Sequence, residues 1–392
     1  MLTEPVSPNA RWALDPVVVH LNHGSFGGCL RSVLDVAAAA RARVEAAPMR
    51  FFVLEWQTEL DRARAALAAF VGADAERMAF VPSSTTGVAI ALHSATIAAG
   101  DEILTTSHVY AACLFQLQRL ATERGARIVI VDIALPFEPD ELVASVAAAI
   151  TPRTRLALLD HITSPTALRL PIERLIPLFS ARDIPVLVDG AHAPGQIELD
   201  VERLGATWYV GNCHKWLCAP KASGFLAWSA AAAATLRPLV TSHGASAAYG
   251  PANRQHAELD WSGTYDPSAQ LAVPSAITAM AHEGGGWPAI LARNHALALE
   301  LRDRLADGTS ARLAPDHAIG TMAAIPIALP AGTDARSLER ALLVSGWEVP
   351  IVDHPSGPLV RVSAHLYNHA GEADLLAGKL RSLGVRIRGD RD

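Results

Sequence analysis

Short apolar runs alternate with longer segments of helical periodicity over much of the chain. Runs rich in Val and Ile predict strands at 78–81, 102–105, 127–131, 156–159, 186–188 and 208–210. Between them, apolar residues at helical spacing predict helices at 87–97, 111–124, 139–149 and 172–181. This alternation predicts an α/β fold with a mainly parallel sheet and helices on both faces. Ligands of such sheets bind at the carboxyl ends of the strands.

The pattern changes after about residue 268. A long helical segment is predicted at 288–305, followed by strand-like runs at 322–329 and 359–363. We therefore expect a large domain over 21–268 and a smaller α+β domain formed by 269–392. The stretch 1–20 is expected to pack with the small domain.

Composition excludes several classes of protein. The net charge of -6 argues against nucleic-acid binding, which usually requires a basic face. Mean hydropathy is +0.22, yet no apolar stretch approaches the ~20 residues of a membrane span. The first residues lack the basic and apolar regions of a secretory signal, so we expect a cytoplasmic protein. The four cysteines are expected to be reduced and buried, with no disulfide framework and no metal site.

Lysine is rare in this chain. Among 33 Lys and Arg residues there are three lysines, Lys215, Lys221 and Lys379. Arginine can supply a positive charge but not a neutral amine, so a retained lysine has a raised chance of a chemical role. Lys215 stands in the apolar sequence GNCHKWLC, where desolvation would lower its pKa and give the nucleophilic amine of Schiff-base chemistry. Alternatively, its stem packs and its ammonium reaches water.

Two further segments carry polar groups at predicted strand ends. SSTTG (83–87) precedes a helix, whose free N–H groups together with the hydroxyls of Ser84, Thr85 and Thr86 could bind a phosphate. The simpler alternative is a helix cap. In VLVDGAH (186–192), Asp189 follows a strand and could keep a pyridine nitrogen protonated, with His192 near the same ring. The alternative is an aspartate that caps a turn.

The spacing of Asp189 and Lys215 supports a shared site. They are 26 residues apart, the length of a crossover between neighbouring parallel strands. The two side chains should therefore emerge side by side at one sheet edge. A phosphate site, an acid for a ring nitrogen and an amine for an aldehyde together match pyridoxal 5′-phosphate (PLP).

Eight motifs in order carry a resemblance that covers nearly the whole chain. The sequence resembles the class V aminotransferase-fold PLP enzymes, and within them the isopenicillin N epimerase group. The resemblance implies an aspartate aminotransferase-like large domain with a seven-stranded, mainly parallel sheet, a smaller α+β C-terminal domain and a homodimer. The motifs are LNHGSFGG (21–28), PMRFF (48–52), TSHVYAA (106–112), DHITSPTALRLPI (160–172), VDGAHAPGQIELDV (188–201), GNCHKW (211–216), WSGTYDPSAQLAVPSAI (261–277) and RVSAHLYN (361–368).

The resemblance also implies roles for individual residues. Lys215 would form the imine with PLP, Asp189 would contact the pyridine nitrogen and His192 would lie near the ring hydroxyl. Of His108 and Tyr110, we favour His108 over the ring face and Tyr110 for proton transfer. The remaining implied contacts are Thr85, Thr86, His214 and a partner subunit's Thr264 at the phosphate, Ser164 beside the cofactor, Arg361 on the substrate carboxylate, and Asn22 and His23 near the substrate entrance.

Several reactions fit such a site. The substrate class is a small-molecule amino acid, and we favour β-elimination with C–S cleavage of a cysteine S-conjugate, because it needs one base and a leaving group. Epimerisation needs a second acid on the opposite face; transamination and decarboxylating oxidative deamination also occur in the resembling groups. A non-catalytic PLP-binding protein is disfavoured by the presence of Lys215, Asp189 and Arg361 together. No cysteine lies beyond Cys218, so a persulfide mechanism on a late loop is not expected.

Overall fold

The computed structural model describes residues 11–246, 253–306 and 311–389. Its strands are β1 (Val19–His20), β2 (Met78–Val81), β3 (Glu102–Thr106), β4 (Arg127–Val131), β5 (Thr154–Asp160), β6 (Val186–Gly190), β7 (Trp208–Asn212), β8 (Gly224–Trp228), β9 (Met322–Ala328), β10 (Trp347–Glu348), β11 (Ile351–Val352), β12 (Leu359–Ser363) and β13 (Arg386–Ile387). Its α-helices are α1 (Arg31–Ala46), α2 (Pro48–Arg50), α3 (Trp56–Val71), α4 (Ser84–Ser94), α5 (Ala111–Arg124), α6 (Pro139–Ala149), α7 (Ile172–Ser180), α8 (Val201–Leu204), α9 (Arg254–Asp260), α10 (Ser268–Leu271), α11 (Val273–Gly284), α12 (Trp287–Ala306), α13 (Ala335–Val344) and α14 (Gly371–Ser382). A π-helical turn, Phe51–Glu55, joins α2 to α3.

A seven-stranded sheet forms the centre of the molecule, in the order β2-β8-β7-β6-β5-β3-β4. Neighbouring strands are parallel except at β8, which runs antiparallel to both β2 and β7. The predicted α/β fold is therefore confirmed. The antiparallel strand was not predicted; the chain returns from β7 through the loop 213–223, without the helix that a parallel crossover requires.

Both faces of this sheet are buried. Along β6, Val186 and Val188 pack into the core on one face, and Leu187 packs into the core on the other. Side chains alternate between the faces of a strand, so a strand covered on both sides becomes apolar throughout. This explains why the central strands appear in the sequence as continuous apolar runs.

A second sheet, β11-β12-β9-β13, is antiparallel and packs with α12 and α14 around a separate core. The short strand β1 pairs with β10, and Leu21 lies in the same core. Residues 1–10 of the predicted 1–20 segment lie outside the described residues. The domain boundaries remain a prediction. Within the described residues, no helix is long and apolar enough to cross a membrane.

The start of α4 differs from the prediction. The helix begins at Ser84, three residues before the expected start, and ends at Ser94 instead of 97. The Ser83 hydroxyl accepts a hydrogen bond from the amide of Thr86 and so caps the helix. The first turn of α4 thus lies directly at the carboxyl end of β2.

Candidate active site

A cavity of about 450 Å³, here called the large cavity, lies at the carboxyl ends of the central strands. Five of these strand ends contribute to its wall. Tyr110 lies in the loop after β3, and the other four contributions come from the strand's last residues or the loop after it. They are Ser83, Ser84 and Thr85 after β2, Asp160, Ile162 and Ser164 at the end of β5, Asp189, Ala191 and His192 at the end of β6, and Asn212, His214 and Lys215 at the end of β7. The geometry expected for ligand sites of parallel sheets is thus present.

Lys215 lies on the wall with its amine next to an imidazole. Its Nζ is 3.1 Å from Nε2 of His192. Burial lowers the pKa of Lys215 to about 8. The negative charge of Asp189 raises this pKa, and the positive charge of Arg361 lowers it. A substantial fraction of the amine is therefore neutral near pH 8, as a nucleophile or base requires.

Two carboxyl groups lie side by side on the wall of the same cavity. Asp160 and Asp189 are partners in the β5–β6 pairing, and both are buried. Asp189 accepts hydrogen bonds from the amide of Ala191 (3.0 Å) and from Sγ of Cys113 (3.3 Å). Burial, followed by the charge of Asp189, raises the pKa of Asp160 well above its usual range. Burial also raises the pKa of Asp189.

Asp160 was not among the predicted site residues. The sequence carries one signal for it, because LLD at 158–160 ends its strand as LVD does at 187–189. Asn212 was also missed; its Oδ1 accepts the amide of Ser84 at 2.8 Å and so ties the start of α4 to the end of β7.

Part of the predicted phosphate site lies on the wall of the large cavity. Ser84 and Thr85 line it, whereas the amide of Thr86 points back to Ser83 and its side chain is not on the wall. His214 also lines the cavity, and its Nδ1 donates to the carbonyl of Ser223 at 2.8 Å. Burial lowers the pKa of His214 to about 4.

Arg361 is buried directly behind the wall. Its guanidinium donates to Oγ of Ser25 at 2.7 Å and to Oδ1 of Asn22 at 3.2 Å. It also donates to the carbonyl of Ser164. Burial lowers its pKa to about 10, and none of the described carboxylates forms an ion pair with it. A buried cation without a counter-ion is costly, so this position favours an anionic ligand.

His108 is buried and close to two other polar side chains. Its buried Nδ1 is 2.9 Å from Oγ1 of Thr166, its Nε2 is 3.2 Å from Nε2 of His354, and it does not line the large cavity. Tyr110 does line the cavity and is 42% exposed. Of the two candidates for the ring face, Tyr110 therefore has the accessible position.

Three other predicted residues, Asn22, His23 and Thr264, are also outside the large cavity. His23 packs behind the Lys215 loop, where its Nε2 donates to the Lys215 carbonyl at 3.0 Å and its Nδ1 accepts from the Tyr367 hydroxyl at 2.8 Å. Thr264 lines a separate cavity together with Pro48 and Phe52. In a single chain, Thr264 and the predicted phosphate site are thus not brought together.

Comparison with known proteins identifies the family. Residues 33–376 match the profile of the family described as Aminotransferase class-V. The chain belongs to this family. Its cofactor is PLP, and the protein is a PLP-dependent enzyme of the lyase or isomerase type.

The proteins with similar sequences include enzymes with two different activities. Isopenicillin N epimerase of Amycolatopsis lactamdurans is 37% identical over 95% of this chain and 96% of its own length. An L-cysteine desulfhydrase of Arabidopsis thaliana is 28% identical over 93% of this chain and 88% of its own length. Among solved structures, the cystine C–S lyase C-DES with its product cysteine persulfide superposes with a TM-score of 0.81 at 20% identity, covering 93% of this chain and 97% of that one. The last comparison supports the fold.

The residues of the large cavity fit PLP. Among the described side chains, Oγ of Ser84 and Oδ2 of Asp160 are buried on its wall without a hydrogen-bond partner. Unsatisfied buried polar atoms at such positions are expected where a polar ligand completes the site. The start of a helix can donate hydrogen bonds to the phosphate of PLP, an amine can react with its aldehyde, and a buried acid can contact its pyridine nitrogen.

Proposed function

We propose that this protein is a C–S β-lyase that cleaves a cysteine S-conjugate. The net reaction converts the conjugate and one water into a thiol, pyruvate and ammonia. The observation that carries the proposal is the buried Arg361, which lacks an acidic partner among the described residues and lies behind the cavity that holds Lys215. An amino-acid carboxylate is the anion that a guanidinium in this position could grip through two hydrogen bonds.

Cofactor binding is assigned to three parts of the wall. Lys215 would hold PLP covalently, Asp189 would face its pyridine nitrogen, and the Ser84–Thr85 start of α4 with His214 would hold its phosphate. Thr264 would reach the same phosphate from a second copy of the chain in a homodimer. When bound, PLP supplies an electron sink for the electron pair left at Cα of the substrate.

Proton movement falls to the Lys215–His192 pair. Once free, Nζ of Lys215 would take the Cα proton, since its lowered pKa leaves it partly neutral near physiological pH. Nε2 of His192, at 3.1 Å, would orient the amine. The electrons of the broken Cα–H bond form Cα=Cβ as the Cβ–S bond breaks, and the sulfur leaves as a thiolate that takes up a proton.

The size of the site supports a compact substrate. The large cavity of about 450 Å³ must hold both PLP and the amino acid, whereas sites for one drug-sized ligand span roughly 300–1,000 Å³. Elimination also needs a single base, and the wall offers one partly neutral amine. The similarity to an L-cysteine desulfhydrase is in keeping with this reaction.

Epimerisation of an amino acid is the second candidate. It is favoured by the 37% identity to an isopenicillin N epimerase over 95% of the chain. Tyr110, exposed on the cavity wall, is the group that would return a proton from the face opposite Lys215.

One assay separates these reactions. The purified holoenzyme is incubated with cysteine S-conjugates and with single enantiomers of amino acids, without a keto acid, and thiol, pyruvate and chirality are measured. We expect thiol and pyruvate in equal amounts, absent with Lys215→Ala and retained with Lys379→Ala, a substitution on α14. Inversion without thiol release would establish the epimerase instead, and a requirement for a keto acid would indicate transamination.

A further inference from the structure

A smaller cavity of about 190 Å³, here called the side cavity, lies next to the large cavity. Phe26 and Lys221 line both of them. Asn22, on the side-cavity wall, accepts a hydrogen bond from Arg361 at 3.2 Å. The side cavity therefore adjoins the group that would grip the substrate carboxylate.

Lys221 is an exposed ammonium at the junction of the two cavities. Its Nζ donates to the carbonyl of Gly27, and none of the described carboxylates forms an ion pair with it. It is one of the three lysines of the chain and lies six residues after Lys215. Neither the proposed lyase chemistry nor the cofactor assignment uses it.

The neighbours of Lys221 in the side cavity do not neutralise it. Burial lowers the pKa of His23 to about 3 and raises the pKa of the Cys29 thiol to about 11, so both are uncharged near pH 7. Glu348 is the acidic residue of this wall, and its Oε2 is engaged by Nδ1 of His20 at 2.8 Å. The positive charge of Lys221 is thus available to a ligand.

We propose that the side cavity is a subsite for the distal part of the substrate, in which Lys221 selects conjugates whose sulfur substituent carries an anionic group. This rests on the proposed function. A substrate whose carboxylate is bound by Arg361 and whose Cα proton faces Lys215 would extend its sulfur substituent towards Lys221. On the way this substituent would pass Phe26, which is 79% exposed. The competing assignment is a contact of Lys221 with the cofactor phosphate, because Lys221 also lines the large cavity beside His214.

The test uses a pair of nearly isosteric substrates and the holoenzyme. S-carboxymethylcysteine and S-carbamoylmethylcysteine differ by an anionic carboxylate against a neutral amide. We expect the wild type to favour the carboxylate by about tenfold in kcat/KM, the size of one charge-assisted hydrogen bond at a partly exposed site. In Lys221→Met this ratio should fall to near one, and in Lys379→Met it should stay unchanged. PLP affinity is measured for each variant.

The outcomes separate this inference from the lyase proposal. Equal kcat/KM values for the two conjugates in the wild type overturn the subsite, as does a Lys221→Met variant that loses PLP affinity but keeps the substrate preference. Affinity for each conjugate is also measured from the change in visible absorbance of the holoenzyme, which does not depend on C–S cleavage. A preference in affinity that depends on Lys221, without thiol release, supports the subsite and refutes the lyase; thiol release without any preference does the reverse.

Discussion

Arg361→Met removes the proposed carboxylate grip while keeping a side chain of similar length. The lost partner is a buried guanidinium, and breaking a buried, hydrogen-bonded charge pair costs about 2–5 kcal/mol. At 1.4 kcal/mol per factor of ten, kcat/KM for a cysteine S-conjugate should fall by about 30- to 4000-fold. The protein itself should remain folded, because Arg361 has no ion pair among the described residues and loses neutral hydrogen-bond partners, of which Ser25 and Asn22 are two.

The assay pairs this variant with a substrate that lacks the carboxylate. Wild type and Arg361→Met are compared on a cysteine S-conjugate and on the matching cysteamine S-conjugate, with thermal unfolding measured for each protein. We expect the large loss for the cysteine conjugate and less than about a threefold change for the cysteamine conjugate, which has no carboxylate for Arg361 to bind. Changing the guanidinium and the carboxylate separately and together isolates the interaction between them. Arg381→Met, on α14, serves as the control. Equal losses on both substrates would refute the carboxylate grip.

Three further predictions concern the cofactor site and stability. Lys215→Ala should abolish the visible absorbance of the lysine-linked cofactor, whereas Lys379→Ala should retain it; an unchanged spectrum in Lys215→Ala would remove the central assignment. Asp189→Asn should lower kcat by at least about a hundredfold through loss of the buried acid opposite the ring nitrogen, measured at saturating PLP; full activity would contradict this role. Burial lowers the pKa of His23 to about 3 and that of His214 to about 4, below the usual 6.5 of a histidine, so as the pH falls the unfolded chain binds protons that the folded protein does not bind. The contribution of these two histidines to stability should therefore be level above about pH 7 and decline as the pH falls from 6.5 towards 4; a difference in melting temperature between wild type and His23→Gln that stays constant over this interval would disprove it.

The parts of the site that could be predicted depend on local periodicity. Asp189 and Lys215 were expected side by side at one sheet edge because one short helix and one strand fit between them, and β6 and β7 are indeed neighbours. Asp160 could not be paired with Asp189 in this way, because their contact depends on the register between β5 and β6. Likewise, the inward position of His108 depends on contacts with Thr166 and with His354, which is 246 residues away along the chain.

The surroundings of Arg361 have a consequence for how the protein is made. Its guanidinium contacts Asn22 and Ser25, which precede it by 339 and 336 residues, and Ser164, which precedes it by 197. During synthesis the ribosome must therefore release most of the polypeptide before this cluster can assemble, whereas the strands around Lys215 can pair much earlier. A chain cut short ahead of β12 could thus still present the reactive amine, yet it would have no means of orienting an amino acid towards it.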